Sequence, residues 1–465
     1  MRAPLRERKR LPTKTVAVFQ HIPIQPERWL SRRQLIALLW TGAAIAICVM
    51  LRVGAVGWDA QVCWKTIQAL HYSNDPYATG LVALQAFHNG SAFSTTLPHV
   101  YVYSPLTLPL MRLLGGFPGW VITVLFGAAV TTGALLQIWA GFQMADKQER
   151  RWLVMLLPAV VFFPGLITDD VILSGNVAYI LYGVILAAAV PGWKRGSWRW
   201  YYIAVLAASI FKAPFLSLLA FPVLVDRRQW FQSGIAAATG VLIFVAQIRL
   251  LPSMFREYLL TIQLMFDWEH DFGFGPAGIL GKALWSEGLP TSSATTMLYM
   301  AFAVVLGIIL LWIAHNVREW NLPRETWIPV ALVGTILLNP RIMKYDLAAI
   351  TVPMLLIGWR ALRFAFGRST DAGQINDSDD IGRNHSDRVP ILVGVVCFLV
   401  SNLITIAGPS WFPIELVMVS AIFSMGIWFI YQSRLDVQEL AKSPRTQAEN
   451  LLGALMSSSS VKLEP

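Results

Sequence analysis

Asp59 stands just after the first long apolar run of the chain. Two unusual segments follow it, Asn74-Asp75-Pro76-Tyr77 and Tyr101-Val102-Tyr103-Ser104-Pro105. A carboxylate held at a membrane surface, with aromatic and hydroxyl groups nearby, suits general-base chemistry on a lipid-carried sugar. Asp59 also has a plain structural reading, because Asp is favoured at helix N-caps. The two readings are compatible. A helix N-terminus stabilises negative charge, and the anionic carboxylate is the form a base needs.

Lys212 lies inside an apolar segment beside Ala213-Pro214. A charge at membrane depth costs about 2.5–3.5 kcal/mol on insertion scales, so an anionic partner is expected, a phosphate in the first place. The plainer alternative is snorkelling to the interface. Arg341 and Lys344 are further candidate phosphate ligands, with lipid headgroup contact as the alternative. Asp169-Asp170 precedes Ser174-Gly175-Asn176. Two adjacent carboxylates make a weak metal site, so Asp170 is read as orienting Asn176 or binding sugar hydroxyls, and no metal is expected. Asp267, Glu269, His270 and Asp271, flanked by Trp268 and Phe272, combine acid and aromatic groups as carbohydrate sites do. A solvated loop surface explains them equally.

The elements that position these groups follow from composition. The 465 residues are 55% hydrophobic and 14% charged, against about 25% charged in soluble domains. Apolar runs recur near 34–53, 119–142, 152–165, 176–190, 234–251, 296–314, 326–339, 346–364, 389–408 and 412–432, most of them close to the roughly 20 residues a span needs. The class is all-α, a polytopic helical membrane protein. Segments 104–117 and 200–225 are broken by Gly and Pro, the second also by Lys212. They read as re-entrant or paired short helices, tolerated where protein or water surrounds them. Three cysteines and seven histidines show neither a disulfide framework nor metal-ligand spacing.

Charge sets the expected orientation. The net +10 gathers in a basic arm, residues 1–33, and in the loops at 147–151, 194–195, 227–228, 318–324 and 365–388. Placing all of these in the cytoplasm leaves both termini inside, with about 28 of the 37 Lys and Arg, as the positive-inside rule requires. The basic residues then meet membrane lipids, and no nucleic-acid partner is expected. Segments 54–103, 166–175, 252–295 and 340–345 fall outside. Cys63, Ile67 and Leu70 make one apolar stripe and Leu81, Leu84 and Phe87 another, at helical spacing. They predict two interfacial helices on the outer leaflet, with a turn at Asn74-Asp75-Pro76 and a C-cap at Asn89-Gly90. Residues 365–388 read as a disordered linker, 389–432 as a C-terminal hairpin of two spans, and 433–465 as a tail.

The ordered motifs resemble the glycosyltransferase family 87 mannosyltransferases, which have the GT-C membrane fold. The likeness covers residues 30–365. It consists of Asp59 after the first span, Asp75-Pro76-Tyr77, Tyr101-Val102-Tyr103-Ser104-Pro105, Gly175-Asn176, Lys212-Ala213-Pro214 and Asn339-Pro340-Arg341 before Tyr345. The family usually has Tyr-Pro-Pro at 103–105, Gly-Gln at 175–176, and often His before the aromatic at 345. The likeness implies a GT-C bundle of about 10–12 spans, with residues 34–364 as the catalytic region. It implies Asp59 as catalytic base and a polyprenyl-phosphate sugar donor, often of mannose. Lys212, Arg341 and Lys344 would bind the donor phosphate, and Asp75, Tyr77, Tyr101, Tyr103, Asp170, Asn176 and Tyr345 the sugar and acceptor. The acceptor would be a glycan or glycolipid hydroxyl at the outer face of the plasma membrane, with no soluble cofactor. The rival class is a transporter or lipid-linked sugar flippase, which would carry its site in broken helices near the midplane.

Overall fold

The computed structural model describes residues 58–72, 75–89, 100–146, 175–269, 275–289, 292–340, 342–371 and 416–434, with single positions at 42, 149, 150, 153 and 273. Among them every regular element is helical. The helices are α1 Trp58–His71, α2 Pro76–His88, α3 Leu108–Gly115, α4 Gly119–Met144, α5 Val177–Arg195, α6 Arg199–Phe211, α7 Ala220–Val225, α8 Trp230–Leu250, α9 Pro252–Glu269, α10 Pro276–Ser286, α11 Ser292–Glu319, α12 Arg324–Leu337 and α13 Lys344–Asp371. A last helix, α14, spans Leu416–Arg434.

Five described helices are long and apolar enough to cross a membrane: α4, α5, α8 (counted from Arg227), α11 (counted from Ser293) and α14. The outer faces of α8 and α11 carry exposed Val241, Leu242, Ile248, Val304, Val305, Ile308 and Leu311. Water would not tolerate such a belt, and lipid would. The chain is a multi-pass helical membrane protein. The expected spans 34–53, 152–165 and 389–408 lie outside the described residues. α12 has 14 residues, short for a span, and is buried along almost its whole length. α13 runs on to Asp371, six residues past the point where the linker was expected to begin.

α4 and α5 form the centre. Gly133 and Gly183 let their backbones touch: a Cβ on Gly183 would collide with the Gly133 carbonyl, and one on Gly133 would meet the Ile180 Cα at 2.9 Å. Small residues at such crossings are how membrane helices approach closely.

One end of the bundle is held by arginines. Arg324 donates to the Trp193 carbonyl at 2.5 Å and Arg318 to the Leu224 carbonyl at 2.6 Å. Arg150 donates to Phe142 and Ala145 at 3.0 and 3.1 Å. Arg360 reaches the Met144 carbonyl at 2.8 Å and pairs with Glu149 through both oxygens, at 2.6 and 2.7 Å. These carbonyls end helices α4, α5 and α7, where orphan acceptors and the negative end of the helix dipole favour cations. Arg150, Arg318 and Arg324, three of the positive charges read from the loops, therefore gather at one end and cap helices there.

Candidate functional site

The opposite end holds the sequence motifs. Asn176 caps the N-terminus of α5 by accepting from Ala178 N at 2.9 Å. From there to Trp193 the helix runs about 25 Å, so this site and the arginine end are a bundle's length apart.

α6 stops at Lys212, whose backbone is extended (φ −140°, ψ 110°) and serves both as C-cap of α6 and as N-cap of a 3-10 helix, Ala213–Leu219. Pro214 cannot continue the α-helical ladder. The segment 200–225, expected as re-entrant or paired short helices, is a set of short helices broken at the lysine. The extended residue turns its side chain sideways. Lys212 Nζ donates to Asn176 Oδ1 at 3.3 Å and sits 5.5 Å from the centroid of the Tyr103 ring.

Gly175 joins this corner to α1. Its φ is +66°, and a Cβ would lie 2.8 Å from Phe126 and 3.0 Å from Ala60. Both the left-handed backbone and the space demand glycine. Ala60 is the neighbour of Asp59, which lies in the first turn of α1. One turn on, Cys63 feels both charges. Its thiol is pushed up to about 12, chiefly by burial and next by Asp59, with Lys212 pulling the other way. An acidic and a basic group thus bear on one half-buried sulfur, and the thiol is a weak nucleophile.

The two predicted interfacial helices are α1 and α2. Ile67, with Cys63 and Leu70 against it, packs into a cluster with Val62, Tyr77, Tyr101, Tyr103, Leu108, Met111, Phe255 and Tyr258. Asp75 is the N-cap of α2, accepting from Tyr77 N at 2.9 Å and Ala78 N at 3.4 Å, and Asn89 is its C-cap.

Tyr77, Tyr101 and Tyr103 are fully buried, at 0–1% exposure. Tyr77 Oη donates to the Tyr103 carbonyl at 2.5 Å, and Tyr101 Oη pairs with the Thr107 hydroxyl at 2.6 Å. Their rings contact one another edge to face or tilted. Burial holds the Tyr77 and Tyr101 phenols well above their ordinary range and the Tyr258 phenol up to about 12. These tyrosines wall the site, and the hydroxyls of Tyr77 and Tyr101 are used within the wall. Ser104, which stands where the resembled family has proline, donates to Gln247 Oε1 at 2.7 Å, and both are buried. That bond pins the Tyr101–Pro105 segment to α8.

The structure thus brings together Asp59, Asn176, Lys212 and Tyr103, with Asp75, Tyr77 and Tyr101 in the adjoining wall. Asp170 and Arg341 lie outside the described residues, as do the side chains of Lys344 and Tyr345 and of the acidic and aromatic group at 267–272. Residues 252–295, expected as a long loop, are largely helical as α9 and α10. Among the described residues no three His, Cys, Asp or Glu gather as a metal site would.

Two acidic features were missed in the sequence. Glu257 on α9 lies beside Asp75, its Oε2 buried. Asp346, at 2% exposure, accepts from Tyr182 Oη at 2.6 Å and from Met343 N at 2.7 Å. Its one sequence signal was a carboxylate opening an apolar run, directly after the Asn339–Tyr345 motif. Comparison with protein-family models, with curated proteins and with solved structures yields no match for this chain.

Proposed function

We propose that this chain is an integral membrane glycosyltransferase, moving a hexose, mannose in the first place, from polyprenyl phosphate to a glycan or glycolipid hydroxyl at the outer face of the plasma membrane. Asp59 takes the proton of the acceptor hydroxyl as that oxygen bonds to the anomeric carbon. The bond from that carbon to the phosphate oxygen breaks, and polyprenyl phosphate departs with the electron pair. Lys212 and the N-terminus of α5 face the developing phosphate charge, where preorganised donors act most strongly. Direct displacement inverts the centre, so a β-linked donor gives an α-linked product.

The observation that carries this reading is the corner where Lys212 Nζ meets Asn176 Oδ1 at 3.3 Å, with Gly175 packed against Ala60, the neighbour of Asp59 in the first turn of α1. A base and a cation are held at one corner, as attack and departure on opposite sides of a sugar carbon require. The test is transfer by membranes containing the protein from radiolabelled polyprenyl-phosphate hexoses. Label should pass from the mannose donor to lipid or glycan acceptors, and not from nucleotide sugars. If no polyprenyl-phosphate hexose is used, the reading fails.

The break at Lys212 gives the transporter reading its own support, since broken helices hold substrates in transporters. It predicts movement of the intact lipid-linked sugar across sealed vesicles with no new glycosidic bond, so product chromatography separates the two.

A further inference from the structure

We propose that Asp346 and Tyr182 are positioning residues that fix the orientation of Lys212, an inference that rests on the role given to Lys212 above. Asp346 is buried in the first turn of α13, and its two oxygens are held by different parts of the chain. Oδ1 accepts from Tyr182 Oη on α5 at 2.6 Å, and Oδ2 from Met343 N at 2.7 Å. Hydrogen bonds to a carboxylate in such surroundings are short and strong. They leave Tyr182, itself 2% exposed, little freedom to turn.

The Tyr182 ring in turn lies against Phe215, centroids 4.8 Å apart. Phe215 is 3% exposed, and its amide donates to the Lys212 carbonyl at 3.1 Å. That bond closes the first turn of the 3-10 helix. The tyrosine ring is therefore the wall behind the turn from which Lys212 departs. Six residues earlier on the same helix, Asn176 receives the tip of Lys212. α5 thus holds the lysine at both ends, the backbone through Tyr182 and Phe215 and the ammonium through Asn176. Asp346 sets the rotation of the ring that holds the first of these.

Two measurements on the full-length protein test this. The first uses no substrate. With Cys48 and Cys397 replaced by Ser, the alkylation rate of Cys63 by a small neutral reagent reports Lys212, because the lysine favours the thiolate. Tyr182→Phe should slow alkylation at fixed pH by about threefold, toward the value for Lys212→Met. Phe215→Leu keeps an apolar side chain without the ring contact, and should act in the same direction if Tyr182→Phe folds poorly. Rates equal to wild type in a folded variant overturn the proposal.

The second is a double-mutant cycle on transfer from polyprenyl-phosphate mannose. Tyr182→Phe should raise the donor KM about 10-fold in the wild-type background and add nothing in Lys212→Met. Equal losses in both backgrounds mean a merely structural role and overturn it. Altered alkylation without any transfer in the wild type would retain the positioning pair and reject the glycosyltransferase reading, so the two failures are distinct.

Discussion

Lys212 Nζ and Asn176 Oδ1 lie 3.3 Å apart, so the tip of one broken helix rests on the capped first turn of another. The contact places an ammonium at the positive end of a helix dipole. Two positive features meeting at one point favour an anion between or beside them.

Removal of that ammonium is the direct consequence to check. Lys212→Met should lower use of a phosphate-bearing donor at least 10-fold while the protein still reaches the membrane in normal amount. Arg should rescue in part, since it keeps the charge and changes the geometry. Donor titrations on purified protein distinguish these outcomes. Wild-type use by the Met variant would reduce Lys212 to a snorkelling residue.

Glu257 gives a pH dependence. Burial raises its pKa first, and the neighbouring Asp75 carboxyl raises it further. Asp75 is already committed to capping α2, and Tyr77 and Tyr258 pack beside the pair. A carboxyl raised in the folded state stabilises it while protonated, and that stability is lost as pH rises through its folded value. Thermal melts in detergent should therefore show the melting temperature falling as pH rises above the ordinary carboxylate range. Glu257→Gln, which cannot ionise, should flatten that slope. A Gln variant with the wild-type slope would contradict this.

The arginine end sets stability. Arg360 and Glu149 are nearly buried, at 9% and 4% side-chain exposure, and join α4, α12 and α13. Removing one partner of such a pair costs about 3–5 kcal/mol, because the other charge stays buried. Arg360→Met and Glu149→Gln should each lower the melting temperature sharply. Arg360→Lys should not restore it, since Lys lacks the planar fork. A Lys variant melting with wild type would show that charge alone suffices.

Gly175→Ala should damage the site more than its size suggests. The added methyl meets Phe126 and Ala60 in a left-handed backbone, pushing the first turn of α1 away from Asn176. The expected result is lost transfer with a melting temperature lowered by a few degrees, of the order of 1–3 kcal/mol of strain. Unchanged transfer would mean that α1 and α5 can part without consequence.

Much of this architecture was legible because it obeys local rules. The Cys63, Ile67 and Leu70 stripe has helical period, and it packs as that period says. Lys212 and Pro214 inside an apolar run announced a break, and the break is there. Other features follow no local rule. α9 was read as loop because Arg256, Glu257, Gln263 and Asp267 interrupt its apolar residues, and hydropathy does not separate such a helix from a loop. Tyr77, Tyr101 and Tyr103 carry hydroxyls that suggested an open surface, whereas each packs its ring inward, with the Tyr77 and Tyr101 hydroxyls bonded inside the wall. Asp59, weighed as a helix cap, lies in the first turn of α1, which begins at Trp58; Asp75 caps α2. Tyr182 and Asp346 are 164 positions apart, a pairing that only the tertiary fold creates.

Asp59 tests the account most directly. Asn matches Asp in size and keeps a polar group in the first turn of α1, so Asp59→Asn disturbs the fold little and removes the base. The measurement is sugar transfer by the purified variant from polyprenyl-phosphate mannose, alongside its melting temperature and its donor binding. The account predicts a normally folded protein that binds donor and transfers about 10²–10⁴-fold more slowly, the usual worth of a general base. A normally folded variant transferring at the wild-type rate would contradict it.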